Sequence, residues 1–226
     1  MAIATFKDLC LDANDPAAMG RFWAPTLGLS VTALDDGDVR LDGPTPQHAV
    51  WVNRVDEPVT TKQRVHLDVH ASGPGEVLER GATPLDWGPL PWDVMEDPEG
   101  GELCVFTRAD VPAYRLYEVV VDSADGHAIA SWWADVFGAT VQDHTADEAN
   151  DHAFSWFEDA PGMPFEMVFG DVPEPKTVKN RIHWDVDTDD VQRLVDAGAT
   201  VLAEHPSWTV LADPEGNEFC AFTPQD

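Results

Sequence analysis

With 226 residues and 42 Asp plus Glu against 13 Lys plus Arg, the chain carries a formal net charge of -29, and its field repels polyanions, which sets nucleic acid and anionic membranes aside as partners. The length suits two domains of about 110 residues, each with its own core. No hydrophobic run approaches the roughly 18–20 residues needed to span a bilayer, "MAIATFKDLCLD" lacks the features of a signal peptide, and three scattered cysteines make no disulfide framework, so a cytoplasmic protein with reduced thiols is expected.

The first predicted element, "KDLCLD", alternates as a strand does, with Asp8, Cys10 and Asp12 on one face. Asp15 and Pro16 supply the N-cap and first-turn proline of an amphipathic helix that Gly28 stops, and Pro25 is expected to end or kink it early. Further on, "RVHLDVH" places Arg64, His66, Asp68 and His70 opposite Val65, Leu67 and Val69. "DPEGGELCVFT" (Asp97 to Thr107) has the composition of a type I turn followed by a strand with Glu102, Cys104 and Phe106 on one face. "TRADVPAYR" then reads as a short connector, dividing the chain into 1–109, a linker at 110–114, and 115–226.

Beyond the connector the same landmarks recur in the same order. Asp12, Trp23 and Gly28 match Asp122, Trp133 and Gly138 at an offset of 110, whereas His66 and His183 lie 117 apart. The second copy therefore carries a longer middle loop, expected within "TADEANDHAFSWFEDAPGMP". "RIHWDV" places Arg181, His183, Asp185 and Asp187 on one face, and "DPEGNEFCAFT" does the same for Glu218, Cys220 and Phe222.

These segments, "FWAPTLG" with "WWADVFG", "HLDV" with "HWDV", "GAT" twice and "DPEGGELCVF" with "DPEGNEFCAF", resemble the vicinal oxygen chelate superfamily over nearly the whole chain, most closely actinobacterial glyoxalase-like two-domain proteins. The superfamily includes glyoxalase I, extradiol dioxygenases, fosfomycin-inactivating enzymes and bleomycin-resistance proteins. The resemblance implies an α+β fold of two tandem glyoxalase-like domains, each a pair of βαβββ modules forming a curled, cup-shaped mixed sheet with helices outside.

In metal-dependent members the cup holds a divalent ion, and the resemblance carries those ligand positions onto this chain. The first-strand position falls on Asp8 and Glu118, and the second-module histidine on His66 and His183. The last-strand position, a glutamate in those relatives, is Cys104 and Cys220, with Glu102 and Glu218 two residues earlier on the same face. His48 and Glu166 lie nearest a fourth position. The favoured set is Glu118, His183, Cys220, Glu218 and Glu166 in the second domain, with Asp8, His66, Cys104, Glu102 and His48 as its equivalents in the first. Thiolate with imidazole suits zinc, and carboxylate with imidazole suits iron, manganese or nickel.

Trp51, Trp92, Trp156 and Trp208, with Arg64, Arg181, Asp68 and Asp185, are the candidate walls of a ligand pocket. Neither a Gly-rich phosphate loop nor a G-x-S-x-G elbow occurs. The leading expectation is a monomeric or homodimeric protein that holds a metabolite or antibiotic in its cups. The alternative is a metal-dependent lyase, isomerase or extradiol-type dioxygenase acting on a small oxygenated substrate.

Overall fold

The computed structural model describes residues 2–145 and 153–224. Residues 146–152, in the loop expected to be longer in the second copy, lie outside the described residues. The chain forms four modules. The first contains β1 (Thr5–Ala13), α1 (Pro16–Leu27), β2 (Ser30–Ala33), β3 (Val39–Asp42) and, after a 3-10 turn at Pro46–His48, β4 (Val50–Arg54). The second contains β5 (Val65–Ala71), α2 (Pro74–Leu78), β6 (Thr83–Pro84), β7 (Asp93–Glu96) and β8 (Glu102–Thr107). The third contains β9 (Leu116–Ser123), α3 (Gly126–Phe137), β10 (Gln142–His144), β11 (Phe154–Phe157) and β12 (Glu166–Asp171). The fourth contains β13 (Ile182–Asp187), α4 (Val191–Asp196), β14 (Thr200–Glu204), β15 (Thr209–Ala212) and β16 (Glu218–Phe222).

The helix signals act as their chemistry requires. Asp15 and Asp125 accept hydrogen bonds from the amides of Ala18 and Ala128, each at 3.0 Å, and Gly28 and Gly138 close α1 and α3 at φ 72° and 74°. Pro25 does not end α1, which runs on to Leu27 and equals α3 at 12 residues. The only hydrogen bond it removes is to the carbonyl of Arg21, and both residues lie on the exposed face, where water can take the partner's place.

Two eight-stranded sheets result, ordered β14-β15-β16-β13-β1-β4-β3-β2 and β10-β11-β12-β9-β5-β8-β7-β6. The first joins modules one and four and curls into the outer cup; the second joins modules two and three into the inner cup. Each sheet therefore takes one module from each sequence repeat. The seams are antiparallel, β1 with β13 and β9 with β5, so the chain's two ends lie in the same sheet.

The modules of one repeat are clamped across the sheets by the glutamate of each "DPEG" turn. Glu99 accepts from the amides of Asn14 (2.8 Å) and Asp15 (2.7 Å), where β1 passes into α1, and Glu215 accepts from Ala124 and Asp125 at the matching place. The turns are held by Asp97, which accepts from the amides of Glu99 and Gly101, and by Asp213, which accepts from Glu215 and Asn217. Behind the cups, one continuous core unites the apolar faces of both sheets with α1 and α3 around Trp23, Trp133, Trp184, Phe22 and Phe137. Among the described residues no helix is long and apolar enough to cross a membrane.

Candidate functional site

Alternation decides which side chains enter the cups. On β5 the odd-numbered Val65, Leu67 and Val69 are buried in the core, leaving His66, Asp68 and His70 for the concave face, and β13 repeats the pattern with His183, Asp185 and Asp187. Both first strands depart from strict alternation. The pairing of β1 with β13 slips between Phe6 and Asp8, and that of β9 with β5 slips between Leu116 and Glu118. The extra residues, Lys7 and Tyr117, thereby join Asp8 and Glu118 on the concave face.

The sequence grouping of ligands by repeat is corrected by this topology. Asp8 faces Asp185 across the outer seam, with Cys220 beside Asp185 on β16. Glu118 faces Asp68 across the inner seam, with Cys104 beside Asp68 on β8 and Glu166 beside Glu118 on β12. His183, Cys220 and Glu218 thus share a cup with Asp8, and His66, Cys104 and Glu102 share one with Glu118 and Glu166. The repeat reports which residues are equivalent, whereas the strand pairing decides which are neighbours.

Three further expectations change. Glu102 and Glu218 are engaged as caps: Glu102 accepts from the amide of Gln63 at 3.0 Å, and Glu218 from Asn180 at 3.1 Å and from Lys176 at 2.7 Å. His48 hydrogen-bonds Thr45 at 2.8 Å and packs edge-on against Tyr114. Arg64 and Arg181 precede their strands and lace the modules together, Arg64 through the carbonyls of Asp122 and Glu174, Arg181 through Glu99 at 3.0 Å and the carbonyl of Glu57. The four tryptophans divide between the cups. Trp51 donates to Asp8 at 3.0 Å and Trp208 stacks on Phe222 in the outer cup, while Trp92 stacks on Phe106 and Trp156 pairs in register with Val168 in the inner one.

The outer cup concentrates donors. Cys10 Sγ lies 3.6 Å from Asp185 Oδ2, His183 Nε2 lies 3.8 Å from Asp185 Oδ1, and Cys220 Sγ lies 4.0 Å from His183 Nε2. Cys10, His183 and Asp185 each offer one ligand atom within 4.8 Å of the others, a group compact enough to close on one ion whose tetrahedral ligand–ligand edges are about 3.3–3.8 Å, and Cys220 adjoins it at His183. Cys10 was not expected as a ligand, although its place on the Asp8 face was readable from alternation. The inner cup offers His66, Asp68 and Cys104, with His66 Nε2 3.2 Å from Asp68 Oδ1, but has Val120 where the outer cup has Cys10.

Electrostatics mark both seams. Burial, then the charge of Asp8, raises the pKa of Asp185; burial, then Asp68 and Glu166, raises that of Glu118. Burial lowers His183 to about 4, and burial followed by Asp185 pushes Cys220 up to about 12 and Cys10 also upward. Asp8 Oδ1, Asp185 Oδ1 and His183 Nδ1 are buried without a hydrogen-bond partner. An acidic, thiol-bearing set with orphaned oxygens on Asp8 and Asp185 fits a soft divalent cation, which would stabilise the carboxylate and thiolate forms that burial disfavours.

Comparison with known proteins places the fold. The sequence model of a family described as "Glyoxalase-like domain" matches residues 8–106 and again 118–222. The chain is similar to the crystal structure of glyoxalase I from Zea mays, with a TM-score of 0.68 and 13% identity over 97% of this chain and 92% of that one. It is also similar to a candidate dioxygenase from Bacillus subtilis subsp. subtilis str. 168, with a TM-score of 0.64 and 12% identity over 100% of this chain and 86% of that one. No curated protein matches it.

Proposed function

The chain belongs to the glyoxalase-like domain family, whose pattern it carries twice, and from that premise we propose that it is a metal-dependent protein acting on a small oxygenated molecule in the outer cup, with chemistry of lyase or isomerase type. The observation that carries this reading is the donor set of Cys10, His183 and Asp185, whose ligand atoms all lie within 4.8 Å of one another, with Cys220 Sγ 4.0 Å from His183 Nε2 and an orphaned oxygen on Asp185. Leaving a buried polar atom unpaired costs roughly 1–3 kcal/mol, a cost that a bound cation would offset.

Cys10, His183 and Asp185 would hold the ion, with Cys220 beside His183, and its contribution when bound is to polarise a substrate oxygen. A thiol with an imidazole suits zinc, which has no redox chemistry, and so weighs toward lyase or isomerase rather than ring-cleaving chemistry. Asp8 is the candidate base. Lys7 Nζ at 2.7 Å and Trp51 Nε1 at 3.0 Å both bind its Oδ2, which fixes the carboxylate in place. Arg40 lies over the Trp51 ring and Lys7 over the Phe222 ring.

Metal content of tag-free protein prepared without chelators tests this reading. Near-stoichiometric zinc that is lost in Cys10→Ala and His183→Ala but retained in His66→Ala is the expected result. Absence of any bound metal after reconstitution would overturn it. A ligand-holding role for the inner cup is favoured by a separate observation, a cavity of about 450 Å³ bordered by His70, Tyr117, Glu158 and Glu166, within the range of small-molecule sites.

A further inference from the structure

The two cups are built on equivalent positions but balance their charge differently. In the outer cup, Lys7 supplies an ammonium that pairs with Asp8 at 2.7 Å and sits 4.3 Å above the Phe222 ring. Lys176 and Lys179 pair with Glu218 and Asp12 in the same cup. In the inner cup the residue at the Lys7 position is Tyr117, while the acid and the ring remain as Glu118 and Phe106. Lys62 pairs with Asp122, and Arg108 lies 5.5 Å from the Phe106 and Tyr117 rings without an ion pair to Glu118 or Glu166. Glu118, Glu166 and Glu158 are thus left without a cationic partner among the described residues. Their mutual proximity is felt: burial and then Glu158 raise the pKa of Glu166.

This uncompensated charge adjoins the cavity. Glu158 and Glu166 form its polar side, and among the described residues Glu158 is tied only to Gln142 Nε2 at 3.2 Å. His70 stacks on Tyr117 at 4.6 Å and has a buried Nδ1 without a partner, and Met163 and Phe165 supply apolar wall. No Lys or Arg lines the cavity. Carboxylates beside aromatic faces recognise an ammonium group carried on an apolar body.

We propose that the inner-cup cavity binds a small organic cation, its ammonium or quaternary nitrogen between Glu158 and Glu166 and its apolar body against Tyr117, His70, Met163 and Phe165. The ligand supplies in the inner cup the positive charge that Lys7 supplies in the outer one. This proposal is independent of a metal in the outer cup.

Calorimetric titration with benzyltrimethylammonium tests it, with phenylacetate and benzyl alcohol as anionic and neutral counterparts of similar size. The expected result is one saturable site per chain for the cation, weakened at least fivefold by Glu166→Gln and likewise by the exposed Glu158→Gln. Asp36→Asn, a charge removed from an exposed turn, should change it less than twofold, which separates a site from the general attraction of an acidic protein. His183→Ala should bind the cation as the parent does, so that failure of the metal reading and failure of this one are distinguishable. Equal binding of benzyl alcohol or phenylacetate, equal weakening by Asp36→Asn, or no saturable binding would each overturn the proposal.

Discussion

Replacing Glu99 by alanine should test the clamp that holds each repeat together across the two sheets. The Glu99 carboxylate, with its side chain 14% exposed, accepts from the amides of Asn14 and Asp15 and from Arg181, at 2.8, 2.7 and 3.0 Å. Charge-assisted hydrogen bonds contribute about 1.5–3 kcal/mol each when buried, but the Asp15 contact is solvent-exposed and the three share one carboxylate, so a loss of about 3 kcal/mol is expected. Glu215 makes the equivalent amide contacts, but Arg64, which stands where Arg181 does, spends its donors on backbone carbonyls. Glu215→Ala should therefore cost less, about 1–2 kcal/mol. Urea denaturation read by tryptophan fluorescence measures both. A thermal midpoint lowered by about 10 °C in Glu99→Ala is the matching expectation for a chain of this size. A loss below about 1 kcal/mol, or one no larger than that of Glu215→Ala, would refute the assignment of Glu99 and Arg181 as the stronger of the two clamps.

Acid should weaken the metal-free protein through His183. Its folded pKa of about 4 lies below the ordinary histidine value near 6.5, so the unfolded chain binds the extra proton between them; this contribution is intact above about pH 6.5 and falls by up to about 3 kcal/mol as pH drops toward 4. Urea midpoints from pH 8 to 4.5 should fall more steeply in the parent than in His183→Gln, and parallel slopes would contradict the buried neutral imidazole. Pro25→Ala should raise stability by about 1 kcal/mol, because it restores a helical hydrogen bond on an exposed face at a small cost in unfolded-chain entropy; a lower thermal midpoint would contradict this. Burial of Cys10 and Cys104 and the raised pKa of Cys220 predict slow reaction of all three thiols with a disulfide reagent at neutral pH and fast reaction in denaturant. Fast labelling of the native protein would show that the cups are more open than described.

Local chemistry was legible wherever one element suffices to settle it. Asp15, Asp125, Gly28 and Gly138 bound their helices as residue type predicts, and period-two alternation sorted His66, Asp68, His183 and Asp185 onto the concave faces. What escaped depended on partners distant in sequence. Nothing in "TFKDLCLDA" indicates whether β1 will pair with β5, 60 residues on, or with β13, at the other end of the chain. That choice moved Asp8 from His66 to His183. The bulges at Lys7 and Tyr117 were invisible for the same reason, since a bulge is a property of two strands, and the engagement of Glu102 and Glu218 depended on the loops that precede β5 and β13.

The exchange of modules also explains how two copies of one sequence pattern can diverge in chemistry. The strands of modules two and four are nearly interchangeable: each brings His, Asp and Cys to its cup at matching positions. The differences lie on β1 and β9, where Lys7, Asp8 and Cys10 stand against Tyr117, Glu118 and Val120, and on the strands beside them, where β12 brings Glu166 to the inner cup. Because β1 and β9 enter different sheets, each cup receives a common half and a distinctive half. Cys10 adds a thiol to the outer cup, where Lys7 already compensates Asp8, and the chemistry there favours a soft metal ion. Tyr117 and Val120 remove both the thiol and the lysine from the inner cup, leaving carboxylates and aromatic rings, a composition suited to an organic cation. Substitutions between β1 and β9, together with Glu158 and Glu166 beside β11 and on β12, are therefore enough to separate the two sites without altering the core that supports them both.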